Sequence, residues 1–357
     1  MEFIYRTRYS IKYKFSLFAL LLLFASTALC NWMFLPVVGY NSFASFVYGV
    51  RIQLKEEIGL DNGTLQMVHS TESMERMALS FSARAFGGSF SVRMEQSKLP
   101  TVPFFGYGNA GDCDSTAEFT GESQRLQLLY NRQIAAPLTL GIGIETRHST
   151  TYDRGESALW STLPGEHYSS IWTTGPAARA RLEPALFSTL TGYAEFEAGW
   201  QNGNDIAYST FTGQSALFYP VPVINTTFAC RAMLKRHIGT ETTPFRWLSF
   251  IGGADDLRGY KKSRFAGEWL LLSNIELRRN IFSFGSDSSS FLQGIGIAVF
   301  GDAGQVSDSF DSLRWDRFHL SGGGGIRIHL SGDRTIRFDI AKSPEGMGGS
   351  MSFGEMF

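Results

Sequence analysis

Leu138-Thr139-Leu140-Gly141-Ile142-Gly143-Ile144-Glu145 alternates an aliphatic side chain with a small or polar one. A period of two marks an extended strand, because successive side chains on a strand point to opposite faces. One face of this strand is wholly aliphatic and the other carries Thr139, Gly141, Gly143 and Glu145. It suits lipid on one side and water on the other. Phe46, Tyr48, Val50, Ile52 and Leu54 repeat the pattern against Val47, Gly49, Arg51 and Gln53, as do Ile336, Phe338 and Ile340 against Thr335, Arg337 and Asp339. A soluble sandwich could also put such charges on a solvent face. The alternation, however, recurs over nearly every strand, and no helical period interrupts it. The expected fold is all-β, a transmembrane antiparallel β-barrel.

Working outward, the alternation places about sixteen strands, near 34–40, 44–54, 63–70, 77–86, 89–95, 122–132, 138–147, 176–182, 190–200, 207–218, 225–235, 268–279, 294–302, 320–330, 335–342 and 349–357. If the first strand rises from the periplasm, the short connections at 135–137 and 331–333 fall on the periplasmic side. The long ones at 106–117, 152–169 and 238–267 then lie outside, the usual asymmetry of such barrels.

Composition agrees. Among 357 residues, aromatics reach 14%, glycines number 38 and charged residues are only 18%, below the usual level of about 25%. A net charge of −1 gives no reason to expect nucleic acid. At the start, Arg6, Arg8, Lys12 and Lys14 precede the apolar run 15–25 and then Ser26-Thr27-Ala28, the layout of a removable signal peptide. The expected organisation is a leader over 1–30 and one barrel over 31–357. Leu29, before Cys30, occupies the place where a lipidation signal would have a small residue, so lipidation is not expected. Cys113 falls in a loop and Cys230 in mid-strand, so a disulfide is not expected either.

The segment 238–267 is long for a passive connection, and it contains Leu257-Arg258-Gly259-Tyr260. On the two strands that follow, Glu276 is in step with Leu272, Asn274 and Arg278, and Asp302 is in step with Gly294, Gly296 and Ala298. Both acids therefore face the lumen on adjacent strands. Two neighbouring carboxylates repel unless a cation lies between them, and a guanidinium fork can serve both. From pattern alone, Arg258 is either that cation or an ordinary loop arginine in solvent, with the acids paired locally by Arg278 or Arg327.

Leu257-Arg258-Gly259-Tyr260, Asn274-Ile275-Glu276-Leu277-Arg278 and Phe300-Gly301-Asp302-Ala303-Gly304, followed by three segments that end at Phe357, resemble the bacterial surface antigen superfamily. This is the outer-membrane assembly and translocation family that includes BamA and TamA. Leu35-Pro36-Val37-Val38-Gly39-Tyr40 and Pro103-Phe104-Phe105-Gly106-Tyr107-Gly108-Asn109 look like barrel segments of the same family. The resemblance implies that the loop folds into the lumen, where Arg258 meets Glu276 and Asp302. It also implies a seam between first and last strands that opens for client strands; the alternative is that Pro36 merely ends the periplasmic lead-in and the seam is closed. Pro36 cannot donate a ladder hydrogen bond, and glycines including Gly349 precede a short last strand ending in Phe357, so few strong pairings are expected there.

Two features depart from the family pattern. The chain leaves no room before the barrel for the periplasmic POTRA domains usual in members that assemble proteins, and Glu355 stands where the last strand should be apolar. The implied partners are outer-membrane lipids, client outer-membrane or exported proteins, and a periplasmic partner supplying what the chain lacks. A channel with a polar pore lined by Arg51, Arg327 and Asp339, or a barrel that anchors another protein, is the alternative. Gly294-Ile295-Gly296 lies within a strand and does not read as a nucleotide loop. Asp112, Asp114 and Glu118 lack a full calcium ligand set. No catalytic, cofactor or metal site is expected.

Overall fold

A computed structural model describes residues 32–41, 45–57, 60–152, 155–163, 170–183, 191–203, 206–239, 245–284, 292–330 and 334–357. The expected leader, 1–30, lies outside the described residues. The strands are β1 (Trp32–Asn41), β2 (Ser45–Glu57), β3 (Leu60–Ser70), β4 (Glu75–Ala85), β5 (Gly88–Phe104) and β6 (Ala117–Ala135). Next come β7 (Leu138–Tyr152), β8 (Ser170–Leu182), β9 (Thr191–Gly203), β10 (Ile206–Val221), β11 (Thr226–Gly239), β12 (Ser249–Ile251) and β13 (Phe265–Gly267). The last are β14 (Trp269–Ser283), β15 (Leu292–Ser307), β16 (His319–Leu330), β17 (Arg334–Ser343) and β18 (Gly346–Phe353). All but β12 and β13 pair antiparallel in chain order, and β18 returns to β1, closing a sixteen-stranded transmembrane barrel.

The alternation dictates which side each residue takes. Ile142, Ile144, Ile275, Ile297, Val299 and Ile340 are exposed on the outer wall, whereas Glu145, Asn274, Glu276, Asp302 and Asp339, of the opposite parity, are buried inside. Exposed aliphatics around buried charges would be costly in water and are what a lipid-facing wall requires.

Each of the sixteen expected segments overlaps one barrel strand, but several strands are longer. β5 and β6 stay paired as far as Phe104 opposite Ala117, well beyond the stretch that alternates. The register shifts between Leu99 and Val102, where Thr101 has φ +55, so the alternation breaks there and the pairing resumes beyond it. The long loop, expected to lack strands, holds the β12–β13 hairpin, with Ser249 opposite Gly267 and Ile251 opposite Phe265. Phe265, Ala266 and Gly267 are all buried, and a strand buried on both faces shows no alternation.

The long connections share one end of the barrel and pack into a cap. Phe104 and Phe119 from β5 and β6 lie with ring centres 5.1 and 4.8 Å from that of Phe245 in the long loop, joined by Val102, Leu163, Leu248 and Ala266. Lys261 Nζ donates to the Cys113 carbonyl at 3.0 Å. Arg264 Nε donates to both oxygens of Glu345, in the β17–β18 turn, at 2.9 and 2.8 Å. Cys113 and Cys230 are unpaired.

The seam is uneven. β1 pairs with β2 from Trp32 opposite Leu54 to Asn41 opposite Ser45, and β17 pairs with β18 from Ile336 opposite Phe353 to Ser343 opposite Gly346. Between β1 and β18, Tyr40 opposite Met351 is the registered pair among the described residues. Continuing that register would set Pro36 opposite Glu355, but β18 ends at Phe353. Gly349 lies opposite Ile340 of β17.

Phe357, expected to close the last strand on the lipid face, does neither. Its ring centre lies 6.2 Å from that of Phe218 on β10, with the guanidinium carbons of Arg278 and Arg231 at 5.1 and 5.4 Å. The chain bends at Gly354 and carries Glu355 and Phe357 into the lumen. Both side chains find cationic partners there.

Candidate functional site

β14 and β15 present their inward residues in register. Asn274 faces Asp302, and Glu276 faces Phe300, so the two acids are diagonal neighbours across the ladder. Facing acids this close need cations. The long loop descends from the cap and supplies Arg258, which is 2% exposed.

Arg258 Nε and Nη2 donate to the two oxygens of Asp302 at 2.8 and 2.7 Å, and its backbone N–H donates to the same carboxylate at 3.1 Å. Nη1 donates to Glu276 at 2.5 Å and to Asp339 of β17 at 3.3 Å. The flat of the guanidinium lies on Phe300, its central carbon 3.3 Å from the ring centre. Burial works against the charge of Arg258, but the bonds from Asp302 and then Glu276 outweigh it and hold its pKa above the ordinary arginine range.

Neighbouring strand residues extend the pairing. Arg278 Nε donates to Glu276 at 2.7 Å. Arg327 on β16 lies directly opposite Arg337 on β17, and Asp339 takes both, at 2.6 Å from Arg327 and 3.2 Å from Arg337. Glu355 accepts from Arg327 Nε at 3.2 Å. Arg258, Arg278, Arg327 and Arg337 thus meet Glu276, Asp302, Asp339 and Glu355. These four cations and four carboxylates pair with one another, and the exposed Asp255 adds a contact to Arg337 at 3.0 Å; such mutual pairing is the condition under which buried ions are tolerable.

The loop backbone is held as well. Asn274 Nδ2 donates to the Asp256 carbonyl at 2.7 Å, Arg231 Nη2 to the Asp255 carbonyl at 2.9 Å, and Arg337 Nη2 to the Ala254 carbonyl at 3.2 Å. Leu257 is fully buried with Ile251, Phe265, Leu270, Leu272 and Val306. Tyr260 donates to the Leu320 carbonyl at 3.2 Å; burial, and then Glu345, pushes its phenol up to about 12. Between them, Gly259 has φ +85, and a Cβ there would come within 3.2 Å of the Ala341 carbonyl. A side chain is disfavoured both by that backbone conformation and by that contact.

The structure therefore brings together Leu257, Arg258, Gly259, Tyr260, Glu276 and Asp302. Arg327 and Asp339, which the channel alternative set along a polar pore, are paired with each other inside the cluster, and Arg327, one of the local partners considered for the acids, stands 3.7 Å from Glu276. Phe300 and the roles of Arg337 and Glu355 were not read from the sequence. A signal for two of the partners was present in the glycine run 322–325. A Cβ on Gly323 would come 2.8 Å from the Phe300 ring, and one on Gly325 would come 2.1 Å from Asp339 Oδ1, so the run makes room for the cluster.

The far wall carries a second network. Arg125 donates to Glu145 at 2.8 and 2.6 Å, Gln127 to Glu145 at 2.9 Å, and Arg179 Nε to Glu197 at 3.0 Å. Between this wall and the loop lies a cavity of about 760 Å3, lined by Arg76, Arg125, Arg147 and Lys235 among others.

No family model and no curated protein matches the chain. Solved structures do. BamA from Haemophilus ducreyi lacking POTRA domains 1–3 superposes with a TM-score of 0.61 at 14% identity, over 91% of this chain and 70% of that one. The fold is that of a BamA-type barrel. CdiB from Escherichia coli gives a TM-score of 0.63 at 12% identity, and CdiB from Acinetobacter baumannii 0.59 at 14%. Each covers 91% of this chain, which spans 63% and 60% of the respective CdiB chains. In this BamA-type barrel the inward loop, the charge cluster and the uneven seam lie on one side, β14 to β18 and β1.

Proposed function

We propose that the protein is an outer-membrane barrel that assists assembly or translocation of other proteins, using the β1–β18 seam as its working surface and the Arg258 cluster as the lock that braces it. The observation that carries this reading is the seam itself. Its registered pair, Tyr40 and Met351, lies at the long-loop end, and at the other end β18 stops at Phe353. That leaves backbone groups of β1 available to an incoming strand, the chemistry of strand addition. The lock bears on the same edge, since Gly259 packs against Gly348 of β18 and accepts a hydrogen bond from Ser343 at 2.9 Å. No catalysed reaction belongs to this reading.

The experiment is a reversible staple. In a Cys113→Ser, Cys230→Ala background, Tyr40→Cys and Met351→Cys are introduced together and oxidised. Insertion of a small client barrel into liposomes should be accelerated by the reduced protein and not by the stapled one. Equal rates in the two states would rule out the seam as working surface. A second reading, a gated channel, draws on the polar cavity, which Glu95, Glu197 and Asp255 line beside the basic residues; a steady, ion-selective current in planar bilayers together with no effect on client insertion would favour it.

A further inference from the structure

At the short-turn end of the lumen, below the charge cluster, lies a cavity of about 270 Å3 lined by Asn225, Thr227, Arg278, Arg327, His329 and Glu355, among others. The two arginines are only partly used. Arg278 gives Nε to Glu276, and Arg327 gives Nη1 to Asp339. In both, Nη2 is buried without a hydrogen-bond partner; that of Arg327 stands 3.7 Å from Glu276. Buried guanidinium N–H groups are costly to leave unmet.

The carboxylate already there is held loosely. Glu355 lies 3.2 Å from Arg327 Nε and 3.6 Å from Arg278 Nε, whereas Asp302 sits 2.7 Å from Arg258. Glu355 also keeps a quarter of its side chain exposed and belongs to no strand. It can leave without breaking the barrel ladder.

We propose that this pocket is a binding site for a small oxyanion, a carboxylate or a phosphate group, for which Glu355 is the built-in stand-in. The incoming oxyanion takes the place of Glu355 between Arg278 and Arg327, whose hydrogen-bonding capacity is not filled, with Asn225 and Thr227 as further polar neighbours, and Glu355 swings out. The site opens at the short-turn face, so it takes ligands from that side, and its existence is independent of whether the seam opens.

The test uses the full barrel folded in detergent micelles, titrated calorimetrically with inorganic phosphate and, separately, with N-acetylglutamate, chloride being adjusted to hold ionic strength constant. Glu355→Gln removes the competing charge and should tighten saturable one-to-one binding by about tenfold, the scale of one charge-assisted contact. Adding Arg278→Gln to that variant should abolish it, while both variants keep the heat-modifiable gel mobility of a folded barrel. Saturation by one oxyanion identifies the class that the pocket prefers. Saturation by neither in folded Glu355→Gln, or equal binding by the double variant, would overturn the assignment.

Discussion

The Arg258 guanidinium rests flat on the Phe300 ring, its central carbon 3.3 Å from the ring centre, while its edge is taken by Asp302 and Glu276. The side chain is thus held on its face by a quadrupole and on its rim by these two charges and, at 3.3 Å, by Asp339. Removing it leaves two buried acids on adjacent strands. Arg258→Ala should cost roughly 3–5 kcal/mol, the usual penalty for breaking a buried pair. Arg258→Lys should recover only part of that, because an ammonium cannot fork between carboxylates. The denaturation midpoint of the refolded barrel checks both, and an unchanged midpoint for Arg258→Ala would refute the lock.

Phe300→Leu keeps apolar volume in the same place but has no π face. It should destabilise by about 1–3 kcal/mol, the sum of a desolvated cation–π contact and a shape change. The loss should shrink in an Arg258→Ala background, which a double-mutant cycle measures directly.

The glycines of β16 offer a matched pair. A Cβ on Gly325 would meet Asp339 Oδ1 at 2.1 Å, the Phe338 carbonyl at 2.3 Å and Arg327 Nη1 at 2.9 Å, whereas one on Gly324 would meet the Ala298 carbonyl at 3.3 Å. Gly325→Ala should therefore cost about 1–3 kcal/mol as overpacking, and Gly324→Ala well under half of that. Equal effects would mean that the run serves strand bending alone.

The cap predicts a closed resting state. Replacing 245–267 with a short glycine-serine turn removes Phe245, Leu248, Arg258 and Arg264 from the barrel mouth and interior. The shortened protein, if it folds, should carry a steady current in planar bilayers where the parent carries little. A parent that already conducts at the level of the variant would contradict the cap.

The far wall should matter independently of the loop. Glu145 is 2% exposed and accepts from Arg125, Gln127 and Arg147. Glu145→Ala strands those donors and should destabilise by roughly 3–5 kcal/mol. That effect should add to that of Arg258→Ala if the two walls fold as separate networks, as the combined variant's midpoint will show.

Much of the barrel was legible because lipid imposes a strict rule: residues such as Ile142 and Ile144 must face out and Glu145 must face in, and a two-residue period records it directly. The parity that placed Glu276 and Asp302 in the lumen has the same origin. Elsewhere the signal is lost. The extension of β5 and β6 runs through a register shift between Leu99 and Val102, and β13 of the long-loop hairpin is buried on both faces; neither leaves a period to read.

Alternation, a local property, was enough to place about sixteen strands and to turn Glu276 and Asp302 inward, whereas Arg258 became their partner only through the family resemblance, since pattern alone left it open between lumen and solvent. The folded wall adds that Asp339 joins the cluster, that Phe300 lies under the guanidinium, and that Glu355 and Phe357 turn into the lumen instead of extending β18. Each of those depends on which distant strands barrel closure brings within hydrogen-bond reach. Local patterning cannot encode that distance, since it is set by register and curvature summed around the whole wall.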